Sequence, residues 1–159
     1  MELLVPEFMS LINQTDKDMK EHALVKYPNR VEYFTSNLRS KVHFTYHSNA
    51  EYIFHTHFVA RKRVGEFFSY TDLNNLYEIP IDQILGYKDL KGDYTIIIAE
   101  HSKMTLEILK QANEVNKEMN RALSSQDWKT YYASVRQMAN FSLLVGYKKV
   151  LNSLDIYFW

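Results

Sequence analysis

Apolar positions recur at helical spacing from the start of the chain. Leu4, Phe8, Leu11, Ile12, Thr15 and Met19 fall on one side of residues 3–19, opposite Asn13, Asp16, Lys17 and Lys20. This predicts an amphipathic helix, with Pro6 tolerated in its first turns. The period then shortens. Residues 21–27 read as a strand closed by the Pro28-Asn29 turn, and residues 31–35 as its hairpin partner. Val42, Phe44 and Tyr46 alternate with Lys41, His43, Thr45 and His47, which predicts a half-buried strand over residues 41–47. Another strand follows the Ser48-Asn49 turn, over residues 51–58.

Residues 59–69 show no periodicity and read as an exposed loop carrying Arg61-Lys62-Arg63 and Gly65. Ser69-Tyr70-Thr71-Asp72 suits the start of a short helix with Leu73, Leu76 and Tyr77, stopped by Pro80. After an irregular stretch with Gly86 and Gly92, the β-branched run 94–99 predicts a strand buried on both faces. Ile108, Leu109, Ala112, Val115, Met119 and Ala122 mark a helix over residues 104–123. A second helix starts near Asp127 with Trp128, Tyr131, Tyr132, Val135, Met138 and Ala139, and residues 154–159 read as a last strand. With no repeat and no Gly/Ser/Pro linker, residues 1–159 are expected to form a single mixed α+β domain, a central mixed β-sheet flanked by helices.

Composition narrows the chemistry. A chain of 159 residues buries enough surface to fold without disulfides or a structural metal. The absence of cysteine excludes thiol nucleophiles, Fe–S clusters and thiolate zinc fingers, leaving His, Asp and Glu as the strong metal ligands. Lys and Arg number 19, as do Asp and Glu, so no basic excess points to nucleic acid. Arg61-Lys62-Arg63 reads as a solvated loop, with recruitment of an acidic substrate as its functional alternative. The N-terminus carries Glu2 and Glu7 ahead of any basic residue, unlike a secretory signal, and runs such as residues 96–99 are far shorter than the roughly 20 apolar residues of a membrane span. The expectation is a soluble, cytoplasmic protein with no membrane partner, and neutral charge leaves a homodimer open.

His55-Thr56-His57 is the most informative segment. Positions two apart on a strand share a face, so both imidazoles project the same way and are placed to grip one ion. Downstream, Ser69-x-x-Asp72 offers a carboxylate from a helix start as a third ligand. Two histidines and one aspartate leave a fourth tetrahedral position open, the composition of a catalytic zinc site. The alternative reading is of two ordinary strand histidines and a helix cap. His43 and His47 also share a strand face and read as solvated; His22 and His101 read as surface or supporting residues.

The pattern resembles the JAMM (JAB/MPN) metallopeptidases, in which His-x-His, a linking loop and Ser-x-x-Asp bind one zinc. The order of elements is also similar, an opening helix and then a strand headed by a catalytic glutamate, the place of Glu21 here. The resemblance implies Zn2+ held by His55, His57 and Asp72, Glu21 as general base and then acid, and Ser69 as a donor to the oxyanion. It implies hydrolysis of an amide or isopeptide bond in a protein or peptide substrate, ubiquitin-like proteins included, or else a catalytically inactive binding or assembly module of the same fold. The chain departs from the family pattern at Phe58, where proline is usual, in the 14 residues between His57 and Asp72, a longer gap than usual, and at His22-Ala23 in place of a glycine-rich stretch. Glu32 and Glu51 also lie on predicted strands and are rivals of Glu21 for the base.

Overall fold

The computed structural model describes residues 2–36, 44–59 and 64–151. Among these, four α-helices and one six-stranded mixed sheet form a mixed α+β architecture. Helix α1 (Val5–Asp18) has Pro6 in its first turn, where a missing N–H costs nothing, and ends where Met19 adopts a left-handed conformation. The hairpin β1 (His22–Lys26) and β2 (Val31–Thr35) follows, then β3 (Tyr52–Thr56), α2 (Tyr70–Glu78), β4 (Asp82–Lys88) and β5 (Tyr94–Ala99). Two long helices, α3 (Leu106–Ser124) and α4 (Trp128–Val145), lead into β6 (Gly146–Leu151). No helix among the described residues is long and apolar enough to cross a membrane.

The strand order is β2-β1-β3-β4-β5-β6, and every neighbouring pair is antiparallel except β3 with β4. A parallel pair needs a crossover, and α2 supplies it. The chain leaves β3 at its carboxyl end and enters α2 there, so the start of α2 comes to rest beside the last residues of β3. That single connection places Ser69 and Asp72 next to His55 and His57.

Each face of the sheet has its own apolar layer. Phe8, Leu11 and Ile12 of α1 pack on Leu24, Phe54, Ile84, Ile96 and Ile98. On the other face Leu73 and Leu76 of α2, Leu109 of α3 and Val135 and Met138 of α4 cover Leu85, Tyr87 and Ile97. Strand β5, covered on both sides, is buried from Thr95 to Ala99, as its unbroken β-branched run predicts.

Three expectations are corrected. Residues 44–47 form no strand despite their alternation: the His47 N–H donates to the Tyr27 hydroxyl at 3.0 Å and Phe44 packs under the hairpin. Residues 41–43 lie outside the described residues. The stretch with Gly86 is regular strand β4, and the glycine is there because a Cβ would stand 2.6 Å from the Phe54 ring crossing over it. Strand β6 follows α4 with no loop, and its Lys148-Lys149 pair masks it in the sequence, as suits an edge strand. The strand expected over residues 154–159 lies outside the described residues, as do Arg61-Lys62-Arg63 and His43.

Candidate metal centre

His55 is the penultimate residue of β3, and His57 continues the same line, its N–H donating to the Gly86 carbonyl at 3.0 Å. Their rings point to one face, 5.0 Å apart between centroids. Asp72 stands at the third position of α2, in a reciprocal capping box with Ser69. The Ser69 N–H donates to Asp72 Oδ2 at 3.0 Å, and the Asp72 N–H donates to Ser69 Oγ at 3.1 Å. The residue that caps α2 is therefore also the one that faces the two histidines. Capping holds the carboxylate still, and the crossover aims it at the histidines.

One ligand atom each from His55, His57 and Asp72 falls within 4.8 Å of the others. Asp72 Oδ2 lies 3.4 Å from His55 Nε2 and 3.3 Å from His57 Nε2. Glu21, just ahead of β1, brings Oε1 to 3.1 Å from His57 Nε2. The His55 Nε2 is buried and makes no hydrogen bond, its approach to Asp72 being close without being aligned. A buried ring nitrogen left without a hydrogen-bond partner is costly, and a cation at this point would satisfy it. Two imidazole nitrogens and one carboxylate oxygen fit a first-row divalent ion.

The surroundings fix the orientation of the His57 ring. His57 Nδ1 lies 3.0 Å from the Gly65 carbonyl, which can only accept, so Nδ1 carries the hydrogen and Nε2 faces the carboxylates. Gly65 has φ of 107°, and a Cβ there would meet the Phe58 carbonyl at 2.6 Å, so this return of the loop needs glycine. Phe68 packs its ring 6.0 Å from that of His55, and its N–H donates to Ser142 Oγ of α4 at 2.8 Å. Gly65 and Phe68 were legible in the sequence only as loop residues, since the contacts that give them meaning span the gap between His57 and Asp72.

The charges are mutually dependent. Burial opposes a charge on His57, but hydrogen bonds and attraction from Asp72 and Glu21 prevail and raise its pKa to about 10. Burial likewise opposes ionisation of Asp72, and the adjacent His55 and His57 overcome it, holding the carboxyl well below its usual range. Asp72 and Glu21 together make the neighbourhood of His57 Nε2 one that attracts positive charge.

The other candidates fall elsewhere. Glu32 pairs with Arg30 at 3.2 Å and Glu51 with Lys26 at 3.3 Å, so of the three rivals only Glu21 reaches the histidines. His47 lies against Tyr27, and His101 engages the Leu76 carbonyl at the far end of α2. His22 is buried, not at the surface, and its Nε2 lies 2.8 Å from Asp18 Oδ2 on the α1 side of the sheet. No protein-family model, no curated protein and no solved structure matches the chain.

Proposed function

We propose that the chain is a zinc-dependent hydrolase of JAMM (JAB/MPN) type, cleaving an amide or isopeptide bond in a protein or peptide substrate, ubiquitin-like conjugates among them. The reading rests on one observation: the ligand atoms of His55, His57 and Asp72 converge within 4.8 Å, with the Glu21 carboxylate 3.1 Å from one of them. An ion held there supplies a Lewis acid and lowers the pKa of a bound water to about 7.

The remaining work falls to side chains. Glu21, the carboxylate outside the three-ligand set, takes a proton from the attacking water and returns it to the leaving amine. The Ser69 hydroxyl accepts from Asp72 N–H and keeps its own hydrogen, which it donates to the oxyanion as charge develops. Loss of one such donor costs about 2.7–4 kcal/mol in other hydrolases. The buried, unbonded His55 nitrogen facing a fixed carboxylate favours a metal-holding site over a module whose ligands have drifted.

Elemental analysis of the purified protein tests the reading. The expected result is one zinc per chain, lost in His57→Ala and in Asp72→Ala, and kept in Glu21→Gln while hydrolysis of isopeptide-linked substrates disappears. Stoichiometric metal in both ligand variants, or unchanged turnover in Glu21→Gln, refutes the assignment.

A further inference from the structure

A second feature of the same sheet face lies apart from the metal ligands. His55, Leu85, Ile97 and Lys148 occupy one row across β3, β4, β5 and β6, each in register with the next. Three strand spacings of about 4.8 Å put Lys148 roughly 14 Å from His55. At the β6 end of this row a cavity of about 470 Å³ opens between the sheet and α4. This is within the range of about 300–1,000 Å³ usual for small-molecule pockets.

The lining combines an apolar wall with charged side chains. Phe67, Ile97, Val135 and Ala139 make it apolar, while Arg136 and Lys148 bring two cations against the single carboxylate of Glu66. Arg136 and Ala139 stand three apart on α4 and share one face of the helix, so cation and apolar wall are presented together. The Lys148 Nζ hangs 5.9 Å over the Tyr87 ring, held on the cavity side of β6. Leu143, half exposed, carries the apolar surface out to the rim.

From this we infer that the cavity binds a small amphiphile, an aliphatic chain ending in a single anionic group such as a carboxylate. The apolar wall takes the chain, and Arg136 and Lys148 take the anion as charge-assisted hydrogen bonds. A neutral head group would forgo the charge-assisted hydrogen bonds that Arg136 and Lys148 offer. This site is independent of the proposed hydrolysis, and its test does not involve turnover or metal.

Sodium decanoate and decan-1-ol serve as probes, titrated calorimetrically into the full chain. The expected result is saturable binding of decanoate at one site, with decan-1-ol bound at least tenfold more weakly, the scale of a lost charge-assisted hydrogen bond. Arg136→Gln combined with Lys148→Gln should abolish the preference for decanoate, and Ala139→Trp should abolish binding by filling the cavity. Leu143→Trp enters the cavity from the exposed rim and provides the same blockade should Ala139→Trp fail to fold. Equal affinity for the two probes, no saturable decanoate binding, or unchanged binding in the folded tryptophan variant overturns the inference. So does a dimer of the unliganded chain that decanoate leaves intact and Leu143→Glu breaks, which would give the groove to a second copy.

Discussion

The hydroxyl of Thr56 takes over the backbone of His22. Its Oγ1 accepts from the His22 N–H at 2.9 Å and donates to the His22 carbonyl at 3.3 Å, while Thr15 Oγ1 supplies a further hydrogen bond. The ladder between β1 and β3 has ended one step earlier, at Ala23 opposite His55. Thr56 therefore stitches the strand of the two histidines to the residue after Glu21. Thr56→Val keeps the shape and leaves the buried His22 N–H without its acceptor. It should cost about 1–3 kcal/mol of stability by urea denaturation, and Thr56→Ser clearly less. A Thr56→Val chain as stable as the parent would show that the stitch carries no energy.

Stability of the metal-free chain should fall as pH rises above neutrality. His57 has its pKa raised from 6.5 to about 10, so its contribution is complete below 6.5 and is lost as pH climbs through 10. Asp72 is lowered, so its contribution is present above 3.8 and disappears as pH drops further. With a chelator present, the urea midpoint should be lower at about pH 9.5 than at about pH 6, and His57→Gln should remove most of the difference. An identical slope in that variant would place the titrating group elsewhere.

Gly65 sets the orientation of His57 through a carbonyl. Gly65→Ala adds a Cβ at 2.6 Å from the Phe58 carbonyl to a backbone at φ of 107°. The loop must move, and His57 Nδ1 loses its acceptor. Under the proposed reading zinc affinity should drop about 10–100-fold, measured by competition with a chromophoric chelator, with the helical circular dichroism kept.

Gly86 and Phe54 are coupled across two strands. Gly86→Ala sets a methyl 2.6 Å from the Phe54 ring and 3.1 Å from Ile12 Cδ1, and should cost about 1–3 kcal/mol. The Phe54 ring is also stacked on Phe8 at 4.1 Å, so it cannot swing aside freely. Phe54→Leu makes room, and the double variant should be less destabilised than the sum of the two single ones. Strict additivity in denaturant midpoints would mean that the ring is not what excludes the methyl.

The helices α1, α3 and α4 were legible in the sequence because each carries its own period, the hairpin because the Pro28-Asn29 turn closes it, and β5 because its β-branched run is unbroken. The same holds for His55 and His57 sharing a face. Strand β4 was not legible, since its glycine answers to Phe54 on the neighbouring strand, and β6 was not, since an edge strand has lysines where a central one has apolar residues.

The amino-acid sequence by itself determined which residues were available for chemistry: no thiol, a His-x-His on one strand and a serine–aspartate pair suited to a helix start. It left Asp72 as cap or ligand, and Glu21 as one of three glutamates. The tertiary structure decided where each stands: a parallel crossover returns the head of α2 to the end of β3, so Asp72 caps the helix and faces both histidines, while Glu21 reaches His57 and Glu32 and Glu51 are drawn to Arg30 and Lys26. Local periodicity says which way a side chain faces. Only the packing of elements distant in the chain says what it faces.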